Sequence, residues 1–365
     1  MIEVFANGRK FSEWTDARVA RSLDHIAASF SLSLVARDSL GDRVRLFPGD
    51  SVEVAVNGAT VISGFVDRLS TSFAAGSRVD RLSTSFAAGS HSVVVSGCEC
   101  SGDIADCCID SPLEWENKKM DEIIRIVCAG FGLSFSNRMN VDVGQAFKKF
   151  SVEPGAKALD TIVKLCRERG ILCCSDGVGK VYLLKPDSCP RGPALRQGEN
   201  LMAASVDFSL VDRFSSYTVY GTGKAKKKVV GTSSDADVER YRPLVVVDSN
   251  AVEKDKVQAR ADWECRIRKA KSMAFRATVH GWEHEGGLWA PGVICSFAAP
   301  ELFVEEPLDL LVSSVDYSWG GDGEITELTL VQPEVFEPQP ESKKVKAVKA
   351  AKADPWKTVK KAVQG

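Results

Sequence analysis

Apolar and polar residues alternate in several short runs over the first hundred positions. Phe30, Leu32 and Leu34 interleave with Ser31 and Ser33, the period-two signature of a half-buried strand. Ile2 and Val4, followed by Phe5, lead into an Asn7-Gly8 turn. The turn Phe47-Pro48-Gly49-Asp50 opens a strand with Val52, Val54 and Val56 on one face. Asn57-Gly58 then closes a hairpin into VISGF at residues 61–65. SVVVS at residues 92–96 is a further strand. Short antiparallel strands with Gly and Pro turns predict a small barrel or sandwich.

After Gly97 the period lengthens. KKMDEIIRIVCAG, residues 118–130, sets Ile123, Ile124, Val127 and Cys128 on one helical stripe, with Gly130 as the stop. A second helix, AKALDTIVKLCRERG, carries Leu159, Ile162, Val163 and Cys166, with Pro154-Gly155 before it and Gly170 behind. Residues 171–174 and 181–184 flank an Asp176-Gly177 turn and predict a hairpin. DSCPRGPALRQGEN, residues 187–200, is a connector. Strand texture returns at residues 205–208 and 216–221, and again at 275–282, 293–297, 310–317 and 325–331. Between these, residues 251–271 predict a charged helix with Val252, Val257, Trp263 and Ile267 available for burial.

The fold class is therefore α+β, mainly β. Residues 1–98 are predicted as a first small antiparallel β-barrel and 99–200 as an α+β module with connector. Residues 201–335 are predicted as a second barrel with a helical insertion at about 231–271. A basic tail, 336–365, completes the chain. A length of 365 residues agrees with two or three domains.

One stretch breaks the plan. VDRLSTSFAAGSR at residues 66–78 is followed at once by VDRLSTSFAAGSH at 79–91, identical at twelve of thirteen positions. A single copy completes a hairpin: GFVDRLSTSF rises, AAGS turns, HSVVVSG returns. A true extra strand would reverse the direction of residues 92–96 and every connection after it. Lengthening one hairpin keeps the topology. The repeat is read as one elongated hairpin, since a single extra thirteen-residue copy is too short to stack as a solenoid.

Net charge is −2, which supplies no bulk attraction to nucleic acid or anionic lipid. No apolar run approaches the ~18 residues that span a bilayer. The start, MIEVFANGRKF, lacks a basic segment followed by a long apolar run, so no signal peptide is expected. The expectation is a soluble protein held in the cytoplasm until assembly. Eleven cysteines include Cys98, Cys100, Cys107 and Cys108, but adjacent cysteines turn both sulfurs toward one tetrahedral ion only with difficulty. They are read as free thiols serving as small apolar side chains.

Catalytic patterns fail in turn. GTGK at residues 221–224 lacks the earlier glycine of a phosphate loop and has Ala225 where a magnesium-binding hydroxyl belongs. His280 and His284 have i, i+4 spacing with Glu283 and Glu285 nearby, but Gly281, Gly286 and Gly287 argue for a turn between strands. No G-x-S-x-G elbow occurs. Glu305 and Glu306 are read as solvated loop charges. Lys224, Lys226, Lys227 and Lys228, and the tail lysines, lack interleaved aromatics apart from Trp356. Val345, Val348, Val359 and Val363 would form short apolar stripes if the tail orders on a partner. No catalytic, cofactor-binding or metal residue is nominated, and no enzyme is expected.

An ordered set of segments carries a resemblance. WTDARVARSLDHIAASFSLSLVARD, FPGDSVEVAVNGATVISGFVDRL and HSVVVSGCECSGDIADCC come first. DRFSSYTVYGTG, RYRPLVVVDS, GWEHEGGLWAPG and ITELTLVQPEVF follow. From about residue 1 to 336 this resembles the Mu-like phage tail proteins that form the baseplate hub of contractile tails. It is also similar to the N-terminal part of type VI secretion spike proteins. The resemblance implies a virion structural protein, a homotrimeric ring between tail tube protein and central spike protein with a channel for DNA. Two related barrels per subunit would present a pseudo-sixfold face to the tube. The tape-measure protein and other baseplate proteins are further implied neighbours, without sequence-specific nucleic acid binding or membrane insertion. Lysines 224–228 are then expected away from the channel, since a basic lining would hold the genome by counterion release. The alternatives are a tail-tip peptidoglycan-degrading enzyme and a host-binding tail module.

Overall fold

The computed structural model describes residues 1–12, 14–35, 46–73, 91–137, 141–167, 169–222, 228–248 and 253–340. The first region forms strands β1 (Ile2–Ala6), β2 (Arg9–Phe11), β3 (Asp16–Ser22), β4 (Ser29–Val35), β5 (Ser51–Val56), β6 (Ala59–Phe73) and β7 (His91–Glu99). The two Asn-Gly turns behave as their residues dictate. Asn7 and Gly8 have φ of 52° and 72°, and Asn57 and Gly58 have 50° and 80°. Positive φ at both central residues matches the twist of a tight hairpin. Ile2, Val4 and Ala6 face the core while Phe5 points outward, 40% exposed. In β5 a register shift after Val54 turns Ala55 inward as well, so Val54, Ala55 and Val56 are all buried.

The middle of the chain contributes α1 (Gly102–Asp106), β8 (Glu114–Lys118), α2 (Met120–Gly130), β9 (Ser134–Ser136), β10 (Phe147–Ser151), α3 (Ala158–Arg167), β11 (Leu172–Ser175) and β12 (Lys180–Leu184). Helix α2 buries the predicted stripe of Ile123, Ile124, Val127 and Cys128, and adds Met120. At its start the Lys119 N–H donates to the Glu122 carboxylate at 2.9 Å. Helix α3 is rotated from expectation: Ala158, Ile162, Leu165 and Cys166 are buried, whereas Val163 is exposed. These helices share a core of their own with Trp115 and Val181.

Next come β13 (Leu195–Arg196), β14 (Ala203–Phe208), β15 (Ser216–Thr222), β16 (Lys228–Ser234), β17 (Pro243–Asp248) and α4 (Lys254–Lys271). The chain ends its described part with β18 (Met273–His280), β19 (Glu283–His284), β20 (Gly287–Leu288), β21 (Ile294–Ala299), β22 (Val304–Gly320) and β23 (Gly323–Val331). Two compact units result among the described residues: Met1–Arg213 with Arg266–Gln339, and Phe214–Cys265. In the smaller unit β15 lies between β16 and β17, and Val219, Val257 and Ala261 form its core. Gly231 admits the helix there, because an added Cβ would stand 2.6 Å from the Val257 carbonyl oxygen. Val252 and the tail valines lie outside the described residues.

The main sheet has thirteen strands, in the order β14-β18-β23-β22-β3-β4-β7-β6-β5-β1-β2, with β21 on β22 and β13 on β21. Mainly-β architecture is thus as read from the sequence. Among the described residues no ladder closes on itself, and strands of both strand-rich regions belong to one sheet. The join is β3 against β22, from Ser22↔Ser314 to Ala17↔Trp319, reinforced by Arg18 and Asp316 at 3.0 Å. One core, from Ile2 to Leu330, lines both regions. No helix among the described residues is long and apolar enough to cross a membrane.

The repeat meets this sheet through its first copy. Strand β6 pairs with β7 from Val66↔Gly97 out to Phe73↔His91. Residues 74–90, which include all of the second copy but His91, lie outside the described residues. Removing residues 66–78 joins Phe65 to Val79 and sets Phe86 opposite His91 in place of Phe73, with Ala87-Ala88-Gly89-Ser90 as a four-residue loop. The shortened protein is expected to fold and to melt within a few degrees of the parent. Thermal unfolding followed by circular dichroism checks this, and failure to fold would mean that the copies fill distinct buried sites.

Candidate functional site

The sequence leaves thiols, two histidines and clustered lysines as the places where chemistry would reside. Cys98 and Cys100 are half-buried, while Cys107 and Cys108 are exposed. Burial, then the hydrogen bond to Asp67, pushes the Cys98 thiol up to about 12. Burial alone takes Cys295 to about 11, and burial first takes Cys128 and Cys174 to about 12. Thiols held protonated are weak nucleophiles and weak metal ligands. Among the described residues no three His, Cys, Asp or Glu side chains are grouped to hold a metal ion.

His280 ends β18 exposed, and Gly281 follows at φ 75°. His284 sits on the small β19–β20 hairpin, where Glu283 pairs with Leu288. Its Nδ1 accepts the Gly286 N–H at 2.9 Å and its ring lies 4.7 Å from that of Trp289. Burial holds its pKa below the usual value. The histidines therefore share no helix, and His284 serves its own turn. Gly221 and Thr222 belong to β15, Lys228 opens β16 exposed, and residues 223–227 lie outside the described residues.

Sequence reasoning passed over Glu99. It is 1% exposed, on the inward phase of β7 that also buries Val93, Val95 and Gly97. The Ala28 N–H donates to Oε2 at 3.1 Å, and the Ser175 hydroxyl donates to Oε1. Burial raises its pKa, opposed by those hydrogen bonds. The same corner holds two more links between the α+β module and the sheet. Arg21 Nη2 donates to the Asp176 carbonyl at 3.0 Å, and the Ser63 N–H donates to the Gly177 carbonyl at 2.7 Å. Strict alternation along β7 was the available signal for Glu99. Its neighbours Cys98 and Cys100 drew attention to metal binding instead.

What remains is contact area. A cleft of about 650 Å³ in the larger unit is lined by Arg21, His25 and four carboxylates, Asp24, Asp67, Asp106 and Asp316. On the edge strand β14 Phe208 is exposed, as are Met202 before it and Leu210 and Val211 after it. On the smaller unit's sheet, Tyr220 stands opposite Val230 and Val247, and all three are exposed. Apolar side chains left in water on paired strands suit protein contact rather than turnover.

Comparison with known proteins fits that character. Four family profiles match successive parts of the chain. They are Mu phage baseplate assembly protein GpP-like, N-terminal, at 1–83; baseplate hub protein gp44-like, second domain, at 101–185; tail protein NMB1110-like, third domain, at 213–263; and Mu phage baseplate assembly protein GpP, fourth domain, at 253–339. Baseplate hub protein gp44 of Escherichia phage Mu is 30% identical over 351 residues, 92% of this chain and 88% of that protein. The 43 kDa tail protein of prophage MuSo2 from Shewanella oneidensis superposes with a TM-score of 0.78 at 25% identity, covering 92% of this chain and 99% of that one. A tail protein from Neisseria meningitidis MC58 shares the fold, with a TM-score of 0.72 at 18% identity over 93% of this chain and 98% of that one. The chain belongs to the Mu-type baseplate hub family of phage tail proteins.

Proposed function

We propose that the chain acts as a structural baseplate hub, a non-enzymatic ring component of the virion between the tail tube protein and the central spike protein. The observation that carries this reading is the main sheet. Seven strands from the first region and five from the second, β14, β18, β21, β22 and β23, belong to it, with β13 of the connector added on β21. Two comparable strand sets per chain support two barrel-like halves. Three chains would then offer six similar faces to a sixfold tube. The division into 1–98, 99–200 and 201–335, with the helical insertion at about 231–271, belongs to the same proposal. Family membership, rather than any missing residue, weighs against the tail-tip hydrolase and host-binding alternatives.

Within the contractile tail the ring would leave an open channel and contact the tape-measure protein and other baseplate proteins. The near-neutral net charge of −2 suits a passage that lets phosphate slide. The experiment is a copy count: quantitative mass spectrometry and cryo-electron microscopy of purified particles are expected to find three copies per tail. Six copies, or a stable dimer as the assembled form, would sink the trimer.

A further inference from the structure

Between β21 and β22 the chain makes a short 3-10 turn over Pro300–Leu302, and Phe303 follows it. Phe303 is 88% exposed and has φ 62° and ψ 24°, in the left-handed region. A bulky side chain rarely takes that conformation, which glycine or asparagine adopts with less strain. The tip is braced on both sides of it. Leu302 packs against the main core, Val304 is buried, and the Phe303 N–H donates to the Pro300 carbonyl at 3.0 Å. The Glu301 N–H donates to Gln197 Oε1 at 3.2 Å.

Directly after this, the ladder bulges. Ala299 pairs with Val304 but Phe297 pairs with Leu308, so Glu305, Glu306 and Pro307 face the single residue Ala298. All three are exposed, as is Glu301. None of the three glutamates makes an ion pair among the described residues. A lone exposed apolar residue is ordinary on a protein surface. A phenylalanine braced outward on a disfavoured backbone, within an acidic rim, is not accounted for by packing within this chain.

We infer that Phe303 is an assembly anchor that enters an apolar pocket rimmed by lysine or arginine on a different protein of the tail. Buried aromatic anchors dominate interface energetics, and complementary rim charge speeds docking and fixes its orientation. The 650 Å³ cleft of this chain is a poor host for an acidic tip, since four aspartates there outnumber Arg21 and His25. The inference rests on the hub role and goes beyond it by naming the contact.

Phe303→Gly provides the test, because it removes the anchor while suiting the left-handed backbone. Purified full-length chain is titrated into extracts of the encoding phage that lack the hub gene, and infectious particles are counted. Phe303→Gly is expected to keep or raise the melting temperature and to leave self-association unchanged. The chain concentration giving half-maximal particles should rise at least about tenfold. Glu305→Lys combined with Glu306→Lys should shift the titration the same way. With p-benzoylphenylalanine at position 303, irradiated particles should yield a crosslink to another polypeptide. Assembly of Phe303→Gly at the parent's concentration, a crosslink to a second copy of this chain, or a melting temperature lowered by several degrees would each overturn the anchor. A parent chain that restores no particles would overturn the hub role itself, and the inference with it.

Discussion

Gly177→Val is expected to lower the melting temperature by about 6–12 °C and to loosen the α+β module from the main sheet. Gly177 occupies φ 92°, and a Cβ there would stand 2.0 Å from the Val61 carbonyl oxygen. Neither backbone can withdraw without loss, since the Gly177 carbonyl accepts the Ser63 N–H and the neighbouring Asp176 carbonyl accepts Arg21. Left-handed strain of roughly 1–2 kcal/mol and two hydrogen bonds at about 0.5–1.5 kcal/mol each bring the cost to around 3 kcal/mol before the clash is counted. Calorimetry measures the shift. Limited proteolysis should cut between residues 99 and 200 faster than in the parent. A change under about 1 kcal/mol, with the same cleavage pattern, would show that the turn is not a true docking point.

Glu99→Ala has the next largest expected effect. It leaves the Ala28 N–H and the Ser175 hydroxyl without their shared acceptor in a corner where Ala28 is also buried. Unsatisfied buried groups cost about 1–3 kcal/mol each, so a loss of roughly 2–4 kcal/mol is expected. Glu99→Gln keeps an acceptor and a donor in place and should retain most of the stability. The two variants also separate charge from hydrogen bonding. Burial raises the Glu99 pKa above its ordinary 4.5, so the folded chain holds this proton more firmly than the unfolded chain. Its contribution to stability is therefore greatest below 4.5 and declines as pH rises through the folded-state pKa. Urea melts across that range should show a decline in the parent that is shallower in Glu99→Gln. Parallel curves would mean that the carboxylate is fully compensated where it sits.

Local pattern revealed those elements whose burial is one-sided. The alternation at Phe30, Leu32 and Leu34 became β4, and the Ile123–Val127 stripe became the buried face of α2. The Asp176-Gly177 turn was correctly placed between β11 and β12. The sequence was least informative where pairing is distant. Nothing in the spacing of Val19 or Tyr317 states that they lie opposite one another, and that pairing joins the two strand-rich regions in one sheet. Short elements such as α1, at five residues, carry too little periodicity to register. The Glu305–Glu306 pair looked like ordinary loop charge because neither the bulge nor the left-handed Phe303 leaves a mark on the hydrophobic pattern.

The β3–β22 seam also sets a timetable. Arg18 and Asp316 are 298 positions apart, so β3 waits for its partner through nearly the whole of synthesis. At ~5–20 residues per second that interval is roughly 15–60 s. Throughout it β3 is a free strand edge, open to wrong partners and to neighbouring nascent chains. Arg18 and Arg21 stand on that edge, and like charges of this kind discourage edge-to-edge pairing. The ion pair that fastens the finished sheet thus begins as a guard on an unfinished one.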